Sequence, residues 1–501
     1  MKKSVNKEAI LSSFSKKYGN QYRVYPNSLK QWKNNFFFMV KYSKNKYLVV
    51  VGDLNVIQKF EGKPLHNLKM NEDSLVVKTA YLTHHNLLIL KEMFPFLSPS
   101  TCSGRTSFGA GDRLGIVTPA HIRAFKNRDI FPILAQQSVR EMTRTERNWQ
   151  SVLDDTMWGC FEAGYEGPFG ADADHVKEIE EIQRAIDVGY TMFTIDPSDQ
   201  VNDDIPNLAK GEMEELYNSI PERKKLEKLY LGKNYTVNGY RMQFTQKNLV
   251  ISAVTYYEAL KHVIKCYRYL KEHSKRDFDS EVSVDETLAS TSPISHIFIT
   301  EELHRNRVDF QDLALHYVGV FQKAIDYIGD VKEFTREMKI HAGIAKEFGG
   351  YKLSLHSGGL KFSVYPAFSE QTKGLFHVKI STSWLESMRI IIRKNPSLYR
   401  QIHPYILKKF NQDKTSYDLT TDLSLIPNIN ETSDSHLEGL LDKDESCQLI
   451  HTTYGSVLTG KKEEGAYLFR NQIYETLYHN EDEHYQAISE HVKKHLDLLQ
   501  T

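Results

Sequence analysis

The stretch Gly170-Ala-Asp-Ala-Asp-His175 puts two carboxylates and an imidazole within four residues. Glycine and alanine beside them leave room for a ligand to approach the backbone. Read as a loop entering the helix VKEIEEIQ, it sets the acids near a helix N-terminus, where negative charge is stabilised. One acid, Asp174, can then act as a base while His175 holds a divalent metal. Taken alone, the stretch reads more simply as an N-capping Asp with a surface His beside it.

Three other stretches carry comparable groups. In Ser283-Val-Asp-Glu286, residues 282, 284 and 286 share a strand face reading Val, Val, Glu, which turns Glu286 into the core at the strand's end. A carboxylate there is costly unless it is paired, metal-bound or wet. A strand-end acid facing solvent fits the pattern equally. YKLSLHS sets Lys352, Ser354 and His356 on one face, and LFHVKIS does the same for His377, Lys379 and Ser381. A lone strand His is ordinarily a satisfied core residue. Two strands that each bring His and Lys inward are expensive in a dry core, and His356, at its strand's C-terminal end, is better placed than His377.

Phe108-Gly-Ala-Gly-Asp-Arg-Leu-Gly115 lacks both an apolar strand before it and the G-x-G-x-x-G spacing of a dinucleotide loop. It reads as a turn presenting Asp112 and Arg113, and Arg suits a carboxylate substrate. The tail histidines His484, His491 and His495 share a helix face without an H-E-x-x-H acid, so they read as packing or solvated residues, as do His84 and His85.

The elements that must position these groups alternate in type. IFPILAQQ, YTMFTID, EVSVDE, YKLSLHS and LFHVKIS read as strands, with RLGIVTP as a further candidate, and helical periodicity follows them. This alternation predicts an α/β chain with a parallel sheet. Polar residues close many of the strands: Thr118, Gln136, Gln137, Asp196, Glu286, His356 and Ser381. Groups spread over the C-terminal ends of several strands favour a (β/α)8 TIM-like barrel over an open sheet, which gathers them at one switch point. Residues 1–100 read as a small N-terminal α+β unit that covers the barrel or builds a subunit contact. Residues 101–395 read as the barrel with a helical insertion at about 200–280, and 396–501 as a C-terminal helical extension whose last helix packs on the barrel's outside.

Composition bounds the rest. A chain of 501 residues with 40% hydrophobic and 26% charged residues is globular and too long for one core. Lys plus Arg and Asp plus Glu both number 64, so no global field draws in nucleic acid or a membrane surface. The four widely spaced cysteines fit reduced thiols in a cytoplasmic protein, and no apolar run is long enough to span a bilayer.

The blocks GDRLGIVTPAHIRAF, QQSVREMTRT, DDTMWGCFEAGYEGPFGADADHVK, FTIDPSDQV, SVDET, AKEFGGYKLSLHSG, FHVKISTSWLESMR and the tail YETLYHNEDEHYQAISEHVKKHL, in this order, resemble the tagaturonate epimerase family. The resemblance implies a barrel enzyme that interconverts tagaturonate and fructuronate with a divalent metal: zinc, manganese, nickel or cobalt. Carried over by position, Asp174 is the base, Glu286 the proton donor, and His175, His356 and His377 the metal ligands. Lys361 and Lys379 are substrate contacts, to which the reading of the turn and the strand ends adds Asp112, Arg113, Gln136 and Gln137. The partner is a small keto-sugar acid, and a homo-oligomer is compatible with it.

The inverted carbon lies two bonds from the ketone, so its proton is not acidified and simple enolisation cannot invert it. Retro-aldol cleavage and re-addition, with a Lewis acid and an acid/base pair, is the expected route. The sequence departs from the family pattern at Leu360, where an acid is usual, and at His316, where an arginine is usual. Weakened or altered substrate recognition is the expectation. A related metal-dependent aldolase and a non-catalytic sugar-acid binding protein are the competing readings, separated by released three-carbon fragments and by metal content.

Overall fold

The computed structural model describes residues 7–70, 73–205, 208, 210–417 and 419–500. Near the N-terminus, β1 (Arg23–Trp32), β2 (Asn35–Tyr42), β3 (Asn45–Gly52), β4 (Gly62–Met70) and β5 (Asp73–Ala80) form an antiparallel sheet in the order β1-β2-β3-β5-β4. Its central strands are aromatic and β-branched, and their alternation serves two cores. Phe36, Phe38, Val40, Val49 and Val51 pack with Ile10 and Phe14 of the helix Lys7–Tyr18. Phe37, Met39, Leu48 and Val50 face the other way and join the main apolar cluster of the barrel.

Eight strands then close a parallel barrel in chain order: β6 (Ser107–Ala110), β7 (Phe131–Ser138), β8 (Gly170–Val176), β9 (Met192–Ile195), β12 (Asp279–Val284), β13 (Asp312–Leu315), β14 (Lys352–Leu355) and β15 (Phe376–Ile380), with β15 pairing back onto β6. Between β9 and β12 the insertion holds the hairpin β10 (Asn234–Val237) and β11 (Tyr240–Gln243), which the helical expectation missed, and the long helix Gln246–His273. Leu249, Ala253, Tyr256, Leu260, Val263, Tyr267 and Leu270 bury one stripe of that helix.

Two element assignments change. RLGIVTP is not a strand. The first barrel strand is the preceding Ser-Phe-Gly-Ala, and Thr118 opens the helix Thr118–Phe125 rather than ending a strand. The small residues serve close packing, since a Cβ on Gly109 would lie 2.1 Å from Gln136 Oε1. The helical run after β7 is two helices, Val139–Thr145 and Trp149–Ala163. It breaks where Glu146 takes a left-handed φ of 54° and Asn148 caps the second helix.

Past β15, the helices Ser383–Lys394, Pro396–Asp413, Asp444–Thr452, Tyr454–Thr459 and Arg470–His479 enclose an apolar cluster of their own around Trp384, Tyr399 and Tyr454. The last helix, Glu481–Leu498, packs on the barrel's outer helices, as expected. His484, His491 and His495 are buried against them. Among the described residues no helix is long and apolar enough to cross a membrane.

Candidate active site

The barrel interior is polar where most such barrels are filled with branched apolar side chains. Alternation on β14 and β15 turns Lys352, Ser354, His356, His377 and Lys379 inward, as the sequence pattern requires, and all five are buried. Each charge therefore needs a partner. Near the floor, Lys352 lies 3.1 Å from Asp312 and donates to Ser107 Oγ at 2.8 Å.

Gly170–Val176 is a strand and not a loop entering a helix. The next helix starts at Ile179, with Glu178 at its cap. The capping explanation for Asp172 and Asp174 therefore falls. Both acids point inward, as period-two neighbours on β8 should. His175 ought to face outward, but pairing with β9 slips between Ala173 and Val176, and His175 takes a left-handed φ of 54°. A bulge of this kind re-aims a side chain, and strain of this kind gathers at functional sites. As a result Asp174 and His175, adjacent in sequence, line one cavity.

His175 and His356 stand with ring centroids 5.0 Å apart. With Asp285 they offer ligand atoms that all lie within 4.8 Å of one another. His175 Nδ1 is 3.0 Å from Asp196 Oδ2, and His356 lies 3.1 Å from Glu281 through Nε2 and 3.2 Å from Asp285 through Nδ1. Burial lowers the His356 imidazole, but Asp285 and Glu281 outweigh it and raise it to about 10. Burial also works against protonated His175, but Asp174 and Asp196 raise it. Burial lifts the Asp285 carboxyl while His356 and His175 hold it far below the usual range.

His377 does not join this group. It sits deeper, with Nδ1 2.9 Å from Ser107 Oγ, and associates with Asp172 and Glu281. Of the expected set, His175 and His356 gather with Asp285, and His377 stands apart from them because β15 carries it one inward position below Lys379. That lysine lies 2.8 Å from Asp172, 2.7 Å from Asp174 and 2.5 Å from Glu281, and it donates to Thr194 Oγ1 at 2.5 Å. Burial raises Asp172 to about 6 despite Lys379. Burial also lifts Asp174, yet Lys379, His175 and His356 keep it well below the carboxylate range.

Glu286 does not turn inward. β12 ends at Val284, and Val282 and Val284 belong to the apolar cluster on the barrel's outer side. Glu281, Ser283 and Asp285 take the inner face instead. Glu286 stands on the rim, 37% exposed, 3.5 Å from Arg140. The other expected substrate contacts divide. Gln136 lines the cavity, whereas Gln137 is on the opposite face of β7, paired with Ala173, and lines neither cavity at the site. Arg113 lines the cavity but is already 2.8 Å from Glu141 and stacked on Tyr454 at 3.8 Å. Asp112 accepts from the backbone N–H groups of Leu114, Gly115 and Val117, so it builds the loop. Lys361 is fully buried and donates to the carbonyls of Gln322 and Ile325.

At the two departures from the family pattern, His316 Nδ1 lies 2.7 Å from the Thr287 carbonyl, and Leu360 packs against the C-terminal apolar cluster. The cavity proper, about 50 Å3 in volume, abuts a wider one of about 410 Å3 lined by Glu286, His316 and Phe321. Glu281, Asp285, Arg140, Lys323, Tyr417 and His451 were not singled out from the sequence, and Asp172 was seen only as one of two acids with no role of its own. The D-x-D alternation in Gly170–Val176 was the available signal for Asp172, since period two marks a strand face. Nothing local pointed to Tyr417 or His451, which come from the C-terminal extension.

A family model described as tagaturonate epimerase matches residues 25–499. The chain is 45% identical over 492 residues to a tagaturonate/fructuronate epimerase of Thermotoga maritima, covering 98% of this chain and all of the relative. Crystal structures of fructuronate-tagaturonate epimerase UxaE from Cohnella laeviribosi, native and with one glycerol, superpose with a TM-score of 0.91 at 37% identity. They cover 98–99% of this chain and 99% of theirs.

Proposed function

Because the chain belongs to the tagaturonate epimerase family, we propose that it interconverts D-tagaturonate and D-fructuronate at the C-terminal mouth of its barrel, by carbon–carbon bond cleavage and re-addition. The supporting observation in the structure is the convergence of His175, Asp285 and His356 beside Asp174. Two imidazoles and a carboxylate suit a borderline divalent cation such as zinc, manganese, nickel or cobalt. Beside the three ligand-type groups, His356 Nε2 faces Glu281 Oε1 at 3.1 Å, so a second carboxylate borders the same place. His175, Asp285 and His356 would hold the cation, and when bound it supplies Lewis-acid polarisation of the substrate's oxygens.

The chain's own groups then move protons. Asp174 is kept anionic by Lys379 and lines the cavity, so it is the base for the hydroxyl on the carbon to be inverted. As that proton leaves, the bond to the carbon next to the ketone breaks. Its electron pair passes to the ketone, giving an enediolate and an aldehyde. The aldehyde turns over, the bond re-forms on its other face, and a proton returns to the new alkoxide. Glu286, on the rim 3.5 Å from Arg140, is the donor for that return, and the proton taken up by Asp174 passes to solvent as Glu286 regains one. Lys379 orients Asp174 and does not itself react.

The test is NMR of metal-loaded protein with fructuronate in deuterated water. Tagaturonate appearing without carbon-bound deuterium at the inverted centre supports the proposal. Deuterium there would overturn cleavage and re-addition, and stoichiometric NAD in active protein would point to transient oxidation. Absence of turnover would overturn the activity itself.

A further inference from the structure

Resting on the reading above, we infer that Lys323 is the residue that selects an acid over a neutral ketose by binding the substrate's carboxylate. Four cations line the cavities at the site, and three have carboxylate partners. Arg113 is 2.8 Å from Glu141, Lys379 is held by three acids, and Arg140 faces Glu286 at 3.5 Å. Among the described residues Lys323 has no carboxylate ion-pair partner. Its ammonium donates to a neutral group, Ser357 Oγ, at 2.5 Å. Ser357 follows His356 directly, so the charge stands beside the proposed metal ligands and borders both cavities.

The loop that carries Lys323, between β13 and the helix Val331–Glu347, is built to hold it there. Lys361 donates to the Gln322 carbonyl at 2.6 Å and to that of Ile325. Gln448, from the C-terminal extension, donates to Gln322 Oε1 at 2.9 Å. Ala324 takes a left-handed φ of 61°, a conformation kept only where the surroundings enforce it. A cation fixed in place, matched only by a hydroxyl and facing a cavity, is a site for an anionic group. This also gives Lys361 a role: it positions the loop and does not touch the sugar.

The experiment compares metal-loaded wild type, Lys323→Met and Lys323→Arg. Dissociation constants for fructuronate and for fructose, its neutral counterpart, are measured by calorimetry alongside turnover. The expected result is that Lys323→Met weakens fructuronate by about tenfold or more, leaves fructose unchanged, and is largely rescued in Lys323→Arg. Equal weakening of both sugars, an unchanged fructuronate constant, or wild type that does not prefer the acid would overturn the assignment. Tight, Lys323-dependent binding of fructuronate without turnover would instead overturn the epimerase reading and leave the assignment standing.

Discussion

Two groups drawn from the same residue types lie one above the other in the barrel: His175, Asp285 and His356 at the mouth, and Asp172, Glu281 and His377 below them. Their histidines behave oppositely. At the mouth, acids raise His356 to about 10, whereas in the deeper group burial drives His377 well below its ordinary value. The difference lies in the counter-charge. Lys379 supplies the deeper acids Asp172 and Glu281 with a cation from the chain itself. In the mouth group Asp285 has only the imidazoles of His356 and His175 to balance it, a place that the proposed divalent ion can take. Residue types alone do not mark a metal site.

The largest effect that would break this contrast is expected from Lys379→Met. It leaves Asp172, Asp174 and Glu281 buried without their cation and should cost roughly 3–5 kcal/mol in denaturant unfolding. A variant as stable as wild type would show that the ammonium is not the counter-charge. Next, His356→Ala should strip the metal, measured by elemental analysis, and lower turnover by roughly 10²–10³-fold. Retained metal would remove the mouth group from the argument. His377→Asn should keep the metal and lower turnover only about tenfold. Metal loss equal to that of His356→Ala would merge the two groups into one.

A last effect, spread over a range of pH, is expected outside the barrel. His484 is buried and neutral, bonded to Ser387 Oγ at 2.9 Å, and burial lowers its pKa to about 4. Its folded value lies below the unfolded one, so its contribution to stability is whole above a pH of about 6.5 and is lost as pH falls toward 4. Over that window His484→Gln should flatten the pH dependence of unfolding by up to about 1.4 kcal/mol per pH unit. An unchanged slope would mean that His484 is protonated in the folded state.

The parity of YKLSLHS and LFHVKIS was legible because short barrel strands keep strict alternation, and it placed His356 and Lys379 correctly. The same rule failed for Glu286. The EVSVDE run alternates Val282, Val284 and Glu286 against Glu281, Ser283 and Asp285, and in this polar barrel it is the second set that turns inward while the valines join the apolar cluster. At His175 the rule was never applied, because the stretch reads as a loop, and the bulge that re-aims the side chain is announced by no local residue. The polar glutamines of β7 were both visible, but one strand face admits only Gln136.

By itself, then, the sequence determined the alternation of strands and helices, the barrel, the family, and which residue types had chemistry to offer, because each of these rests on local periodicity or ordered motifs. The tertiary structure alone decided that Asp285 rather than His377 completes the upper group, that Lys379 neutralises the lower one, and that the C-terminal extension contributes Tyr417 and His451 to the rim. Those outcomes depend on strand register and on charges brought together from distant parts of the chain. An ion pair such as Lys379 with Asp174, 205 residues apart, leaves no trace in either segment until the barrel closes.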